Sequence, residues 1–161
     1  MLVSQQQALA LLTRGDIVAV PTETVYGLAG RIDSDSALKS IFSTKARPFF
    51  NPLIVHVAGV EVARTLTSFW PGIFDVLADA FWPGPLTLIA PKAAHVSPLI
   101  TSGLMTVAVR CPNHPLALAL LRALPAPFAA PSANHFGRTS PTSAKHVEDE
   151  FAGQVPVLDG G

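Results

Sequence analysis

The sequence lacks several features that would assign the protein to a class at once. Its 161 residues include one cysteine, Cys111, so no internal disulfide and no thiolate zinc cluster can form. No apolar run reaches the roughly 18 residues that cross a bilayer. The N-terminus also lacks the basic start and the small-residue cleavage site of a signal peptide. We therefore expect a cytoplasmic protein that does not enter a membrane.

Charge is scarce as well, and it is unevenly distributed. Charged residues make up 14% of the chain, against about 25% in a typical domain. Eleven basic and eleven acidic residues cancel, but no acidic residue lies between Asp35 and Glu61 or between Asp79 and Glu148. Both stretches carry lysine and arginine. They are either ordinary solvated charges or the source of a local positive field in a neutral protein.

Helix and strand patterns alternate along the chain, which is typical of one α/β domain over residues 1–161. Helices are predicted by capping residues and apolar spacing, the first of them beginning at Ser4 and ending at Gly15. About six strands are predicted, in the segments DIVAVPT, PLIVHV, LTLIAP, MTVAVR, PFAAPSA and VPVLD. Because a loop rather than a helix joins LTLIAP to MTVAVR, we expect a mixed parallel and antiparallel sheet flanked by helices.

Motifs of the common nucleotide-binding and hydrolytic sites are missing. The sequence has no G-x-x-x-x-G-K-[ST], no G-x-G-x-x-G and no G-x-S-x-G. Cys111 and His114 in CPNH are spaced like metal ligands, but nothing elsewhere completes a set. Cys111 can equally be a small buried hydrophobic residue.

Four polar clusters remain, each at the end of a predicted strand. In PTETVYGLAG, Thr24 and the glycines are suited to cradle a ligand, or else form a turn that caps a helix. In STKARPFFNPLIVH, we expect Pro48 to end a helix so that Lys45 and Arg47 lean over a cavity. The guanidinium can bind paired anionic oxygens. His56, further along the same segment, is either a ligand contact or a buried core residue.

The other two clusters lie in the second half of the chain. In TVAVR, burial of the valines would direct Thr106 and Arg110 to the opposite face, where Arg110 could bind a carboxylate or remain an ordinary surface arginine. In APSANHFGRTSPTSAKHV, Ser132, Asn134 and Ser140 lie in a glycine-containing loop before a helix. Hydroxyls and backbone N–H groups in such a loop suit phosphate binding.

Together these segments resemble a known family. VPTETVYGL, KARPFFNPLIVH, FWPGPLTLI, TVAVRCPNHP and APSANHFGRTSPT are similar, in order and spacing, to the signature segments of YrdC-like threonylcarbamoyl-AMP synthases. The pattern is closer to the longer, two-domain members. The resemblance covers residues from about 15 to 161, and it implies a twisted mixed sheet with a positively charged concave cavity. Since the family continues past DGG, we expect the segment that completes the domain to lie beyond Gly161.

The resemblance implies that L-threonine, bicarbonate and ATP react to give threonylcarbamoyl-AMP and pyrophosphate. Mg²⁺ would be held mainly by the phosphates and by no protein side chain. A threonylcarbamoyl transferase complex that modifies tRNA would be the partner, and tRNA or double-stranded RNA a further one. The residues implied as catalytic are Lys45 and Arg47. Those implied for threonine are Thr24, His56 and Arg110. Those implied for ATP are Lys45, Arg47, Asn51, Thr106, Ser132, Asn134 and Ser140.

Two other functions stay open from the sequence. The first is the carbamoyl-adenylate-forming domain found in hydrogenase maturation enzymes, although their zinc-finger and acylphosphatase-like modules are absent here. The second is a non-catalytic module that binds RNA or nucleotides. Zero net charge and only 7% aromatic residues count against the second.

Overall fold

The computed structural model describes residues 1–46 and 48–160. Within them the chain forms one mixed sheet with helices on both faces. The strands are β1 (Leu2–Val3), β2 (Val18–Val20), β3 (Gly27–Arg31), β4 (Ile54–His56), β5 (Thr87–Pro91), β6 (Thr106–Arg110), β7 (Phe128–Ala129) and β8 (Val157–Leu158). The helices are α1 (Gln5–Arg14), α2 (Asp35–Thr44), α3 (Val60–Thr65), α4 (Gly72–Phe81), α5 (Pro98–Thr101), α6 (Pro115–Ala123) and α7 (Ala144–Glu150). None of the helices in this part of the chain is long and apolar enough to cross a membrane.

The sheet confirms the prediction of mixed strand directions. Its order is β1-β8-β2-β3-β7-β4-β6-β5. β4 runs parallel to β6, whereas β7 and β5 run antiparallel to their neighbours. In the register, His56 lies beside Arg110 and also beside Phe128. The centre of the sheet therefore brings together three segments that are far apart in the chain.

Alternation along β2 divides the core into two layers. Val18 and Val20 pack with α1 and α6 on one side, and Ala19 packs with the larger cluster on the other. All three residues are fully buried because helices cover both faces of the sheet. A short continuous apolar strand such as this is the pattern expected of a doubly covered sheet.

Helix ends follow the capping residues read from the sequence. Ser4 and Gln7 form a capping box at the start of α1: the Ser4 hydroxyl accepts from the Gln7 backbone N–H at 3.2 Å, and the Gln7 side chain accepts from the Ser4 backbone N–H at 2.8 Å. The predicted end at Gly15 is confirmed. For α2 the prediction was wrong, since the helix ends at Thr44 and not at Pro48. The chain leaves it through Ala46, whose φ is +48°.

Strand β3 was missed because its sequence, GLAGR, contains two glycines and looks like part of a loop. A Cβ built at Gly27 would lie 3.0 Å from the Cβ of Ala130, in the segment that follows β7. Glycine is present there because two backbones approach closely, not because the chain turns. The short strand β1 and the short helix α5 were also missed. With β1 and β3, the described residues form eight strands where about six were predicted.

We expect Gly84→Ala to lower the free energy of unfolding, because its Cβ would overlap the carbonyl oxygen of Phe81. Overpacking of this kind costs about 1–3 kcal/mol. Gly72→Ala is the matched control: a Cβ there meets nothing within 4 Å, and alanine favours the first turn of α4 by roughly 0.5–1 kcal/mol. Chemical denaturation of both variants measures the difference. Equal stability of the two would contradict the close approach at Gly84.

Candidate functional site

A small cavity lies where the loop after β2, strands β4 and β6, and the segment after β7 meet. We call it the strand-end cavity. Its volume is about 220 Å³, below the roughly 300 Å³ at which pockets for drug-sized ligands begin, so it suits a small ligand. It is lined by Thr22, Thr24, Val25, Gly27, Ile54, His56, Arg110, Ala130, Pro131 and Ser132.

The cavity is lined by all three residues predicted for threonine, which are Thr24, His56 and Arg110. Ser132, predicted for ATP, lines it as well. The prediction that Thr106 and Arg110 share a face of β6 is confirmed, since Val107 and Val109 are buried on the other. Thr106 itself is exposed and is not among the residues that line this cavity.

The loop between β2 and β3 holds Thr24 in place through Thr22. The Thr22 hydroxyl donates to the Val25 carbonyl at 2.6 Å and accepts from the backbone N–H groups of Thr24 and Val25, each at 3.2 Å. This local hydrogen bonding is typical of a threonine turn. The turn fixes the Thr24 hydroxyl 3.1 Å from Arg110 Nη2.

Arg110 supplies the charge of the strand-end cavity, and that charge is partly balanced. Its Nη2 lies 2.8 Å from Glu23 Oε1. Burial raises the pKa of Glu23, but hydrogen bonds from Arg110 and from backbone groups, with the arginine charge, lower it overall. Arg110 Nε is buried and has no hydrogen-bond partner among the described residues. A ligand oxygen would satisfy that donor, because buried polar groups are nearly always paired.

His56 is buried and stacks on Phe128, with ring centroids 5.7 Å apart. Burial, helped by the positive charge of Arg110, lowers the His56 pKa to about 4, so the ring is neutral at pH 7. Nδ1 lies 3.3 Å from the Ile54 carbonyl oxygen. A carbonyl can only accept, so Nδ1 carries the proton and Nε2 is left as an acceptor.

We expect the free energy of unfolding to fall as the pH drops from 6.5 to about 4, because the unfolded chain then protonates His56 while the folded protein does not. The loss reaches about 3 kcal/mol at most. His56→Asn should flatten this slope, measured by urea denaturation at several pH values. The same change at His95, an exposed residue, should leave the slope unaltered. A wild-type slope in His56→Asn would refute the assignment.

Lys45 lies beside Ser132 and Asn134, two of the residues predicted for ATP. It is only 1% exposed, and its ammonium group donates to the backbone carbonyls of Ser132 and Asn134. In return, the Phe136 N–H donates to the Lys45 carbonyl at 2.8 Å. Lys45 thus ties the end of α2 to the loop that follows β7. Arg47, the second predicted cation, lies outside the described residues.

A second cavity, of about 370 Å³, borders this loop and is called here the loop cavity. It is lined by Asn134, Thr139, Ser140, Pro141, His146, Asp149 and Glu150. Asn134 and Ser140, both predicted for ATP, therefore lie together. Asn51 is half-buried in the segment between α2 and β4 and lines neither cavity.

Two contributors to the site were not among the predicted site residues. Glu23 lies inside the PTETV segment, so its proximity to the ligand residues was visible, but its pairing with Arg110 depends on the sheet. Glu150 lies on α7 and gave no sequence signal. Its contact with the loop that follows β7 depends only on how that helix packs.

Fold and site define an α/β protein with a mixed sheet and two cavities, one at the ends of its central strands and one along the loop that follows β7. The chain belongs to the Sua5/YciO/YrdC family, whose model, described as "Telomere recombination", matches residues 10–161. The resemblance noted from the five sequence segments is therefore confirmed.

Relatives share both sequence and structure with this chain. A Bacillus subtilis protein named threonylcarbamoyl-AMP synthase is 50% identical over 157 residues, which are 96% of this chain and 45% of that protein. The Pyrococcus abyssi Sua5 crystal structure with L-threonine superposes with a TM-score of 0.96 at 44% identity, covering all of this chain and 50% of that one. A Vibrio vulnificus protein of the same name is 33% identical over 95% of this chain and 83% of its own. The chain thus spans about half the length of the first two relatives.

Proposed function

We propose that this chain forms threonylcarbamoyl-AMP, pyrophosphate and water from L-threonine, bicarbonate and ATP. The observation that carries the proposal is the convergence of Thr24, His56, Arg110 and Ser132 on one cavity of about 220 Å³. The relatives named threonylcarbamoyl-AMP synthase and the threonine complex of the Pyrococcus protein support the choice of substrate.

Threonine would bind in the strand-end cavity. Arg110, with its unpaired Nε, would hold the carboxylate, since a guanidinium pairs well with two oxygens. His56 Nε2 would accept a hydrogen bond from the hydroxyl or the amine, and Thr24 would contact the remaining polar group. A neutral histidine suits this role because it adds no positive charge beside the amine that has to react.

ATP would bind along the loop after β7 and in the loop cavity. Ser132 lines the strand-end cavity, and Asn134, two residues on, lines the loop cavity. The two substrates would therefore be neighbours. We propose that Lys45 and Arg47 serve catalysis, with Lys45 also holding the loop by its two carbonyl contacts. Asn51, Thr106 and Ser140 remain proposed ATP contacts.

The chemistry requires placement of substrates more than it requires a reactive side chain. The threonine amine attacks carbon dioxide or bicarbonate to give a carbamate, and a carbamate oxygen then attacks the α-phosphorus while pyrophosphate leaves. No protein nucleophile takes part. The protein's contribution is to hold the reactants together and to balance the negative charge that they carry.

Magnesium would enter this site with the nucleotide. Residues 1–46 and 48–160 contain no group of three or more His, Cys, Asp or Glu side chains that could hold a metal ion. We propose that Mg²⁺ arrives on the phosphates, where it commonly keeps several waters, and that it neutralises phosphate charge when bound. A transferase complex acting on tRNA is proposed as the consumer of the product.

Pyrophosphate release from ATP tests the proposal. We expect release that requires both threonine and bicarbonate, with threonylcarbamoyl-AMP detected by mass spectrometry. Release that is independent of threonine, or none at all from a chain that binds both substrates, would refute it.

A further inference from the structure

The loop from Ser132 to Arg138 has two anchors. Lys45 binds the carbonyls of Ser132 and Asn134. Glu150, in the last turn of α7, binds the part of the loop that begins at His135. The second anchor belongs to no predicted site.

Glu150 makes three contacts with this loop. Its Oε1 accepts from the His135 backbone N–H at 2.9 Å and from His135 Nδ1 at 2.7 Å. Its Oε2 lies 3.5 Å from Arg138 Nη1. The hydrogen bond from the His135 backbone, the largest influence, lowers the pKa of Glu150, so the side chain stays a carboxylate at neutral pH. The His135 ring also packs on Phe151, with ring centroids 4.8 Å apart.

Glu150 itself lines the loop cavity, and its contacts with the loop also bear on Asn134, which lines the same cavity. The Asn134 Nδ2 donates to the carbonyls of His135 and Arg138 at 2.8 and 2.9 Å. Its Oδ1 is buried and has no hydrogen-bond partner among the described residues. Asn134 is 5% exposed and lines the loop cavity. The place of this free acceptor therefore depends on the two residues that Glu150 holds.

We propose that Glu150 is a positioning residue for the nucleotide: it fixes the His135–Arg138 turn, which in turn sets the Asn134 amide oxygen for ATP. This inference rests on the proposed function, and it concerns ATP alone. Threonine lies in the other cavity, which Glu150 does not line.

Glu150→Gln and Glu150→Ala test the inference, with calorimetric binding of ATP and of threonine measured separately. Glutamine keeps an acceptor for the His135 N–H but loses the charge, so we expect the Kd for ATP to rise about tenfold, and about 100-fold in the alanine variant, while the Kd for threonine stays unchanged. Glu148→Gln is the control, because that residue lies on the same helix and contacts the terminal amine of Met1 instead.

The graded order, with the glutamine variant between wild type and alanine, is the result that supports positioning. Unchanged ATP binding in both variants would overturn the inference alone. Equal losses of ATP and threonine affinity with a lowered melting temperature would also overturn it, since they would show a structural role only. A wild-type chain that does not bind ATP would overturn both the inference and the proposed function.

Discussion

Lys45→Met is expected to lower both stability and activity strongly. Methionine keeps most of the side-chain volume but removes the donor from the carbonyls of Ser132 and Asn134. A buried acceptor left unpaired costs about 1–3 kcal/mol. The Ser132 carbonyl still accepts from the Asn134 N–H at 3.0 Å, so only the loss at the Asn134 carbonyl counts in full, and the total is on the order of 2–4 kcal/mol. That is a large part of the 5–15 kcal/mol by which domains are typically stable. The melting temperature should fall by on the order of 10 °C.

Activity should be lost in Lys45→Met even at temperatures where the variant stays folded. The loop that carries Ser132 and Asn134 would keep the backbone hydrogen bond from Phe136 to residue 45 but lose both side-chain bonds to α2, so Ser132 and Asn134 would be held less firmly for substrate. Lys39→Met is the matched control, since it makes the same change at an exposed position of the same helix. Thermal melts and pyrophosphate release measure the two effects. Wild-type stability in Lys45→Met would contradict the anchoring role.

Arg110→Ala is expected to raise the KM for threonine at least about 100-fold while changing the KM for ATP little. Each hydrogen bond to a charged group is worth about 1.5–3 kcal/mol, and about 1.4 kcal/mol corresponds to tenfold in affinity. Arg110→Lys should recover only part of the loss, because an ammonium group cannot pair with two carboxylate oxygens in a plane.

Arg122→Ala provides the comparison for Arg110→Ala. Arg122 is an exposed arginine in the last turn of α6 and lines neither cavity. Steady-state kinetics with each substrate varied in turn would separate the two KM values. An Arg110→Ala variant that lost ATP and threonine binding equally would indicate a disturbed fold, and unchanged threonine kinetics would remove Arg110 from the substrate site. Removing the guanidinium also leaves the Glu23 carboxylate without its cation, so the melting temperature has to be measured alongside.

Local sequence predicts the positions of some site residues, such as Thr24, His56 and Arg110, but not the contacts of Lys45. Thr24 and Arg110 lie at the ends of predicted strands and His56 lies inside one, and the family resemblance grouped the three for threonine. Their meeting at one cavity agrees with that grouping. The hydrogen-bond partners of the Lys45 ammonium group could not be predicted from the sequence. Its partners are backbone carbonyls nearly 90 residues away, and a carbonyl carries no sequence signal.

The sequence by itself determined the α/β class, the mixed sheet, the caps of α1 and the residue types of the site, because these depend on periodicity, turn chemistry and side-chain identity. Tertiary structure alone decided that GLAGR is a strand, that Glu23 balances Arg110, that burial keeps His56 neutral, and that Lys45 and Glu150 hold the same loop. Each of these depends on contacts between segments far apart in the chain. Such contacts form only when the sheet order brings the segments together.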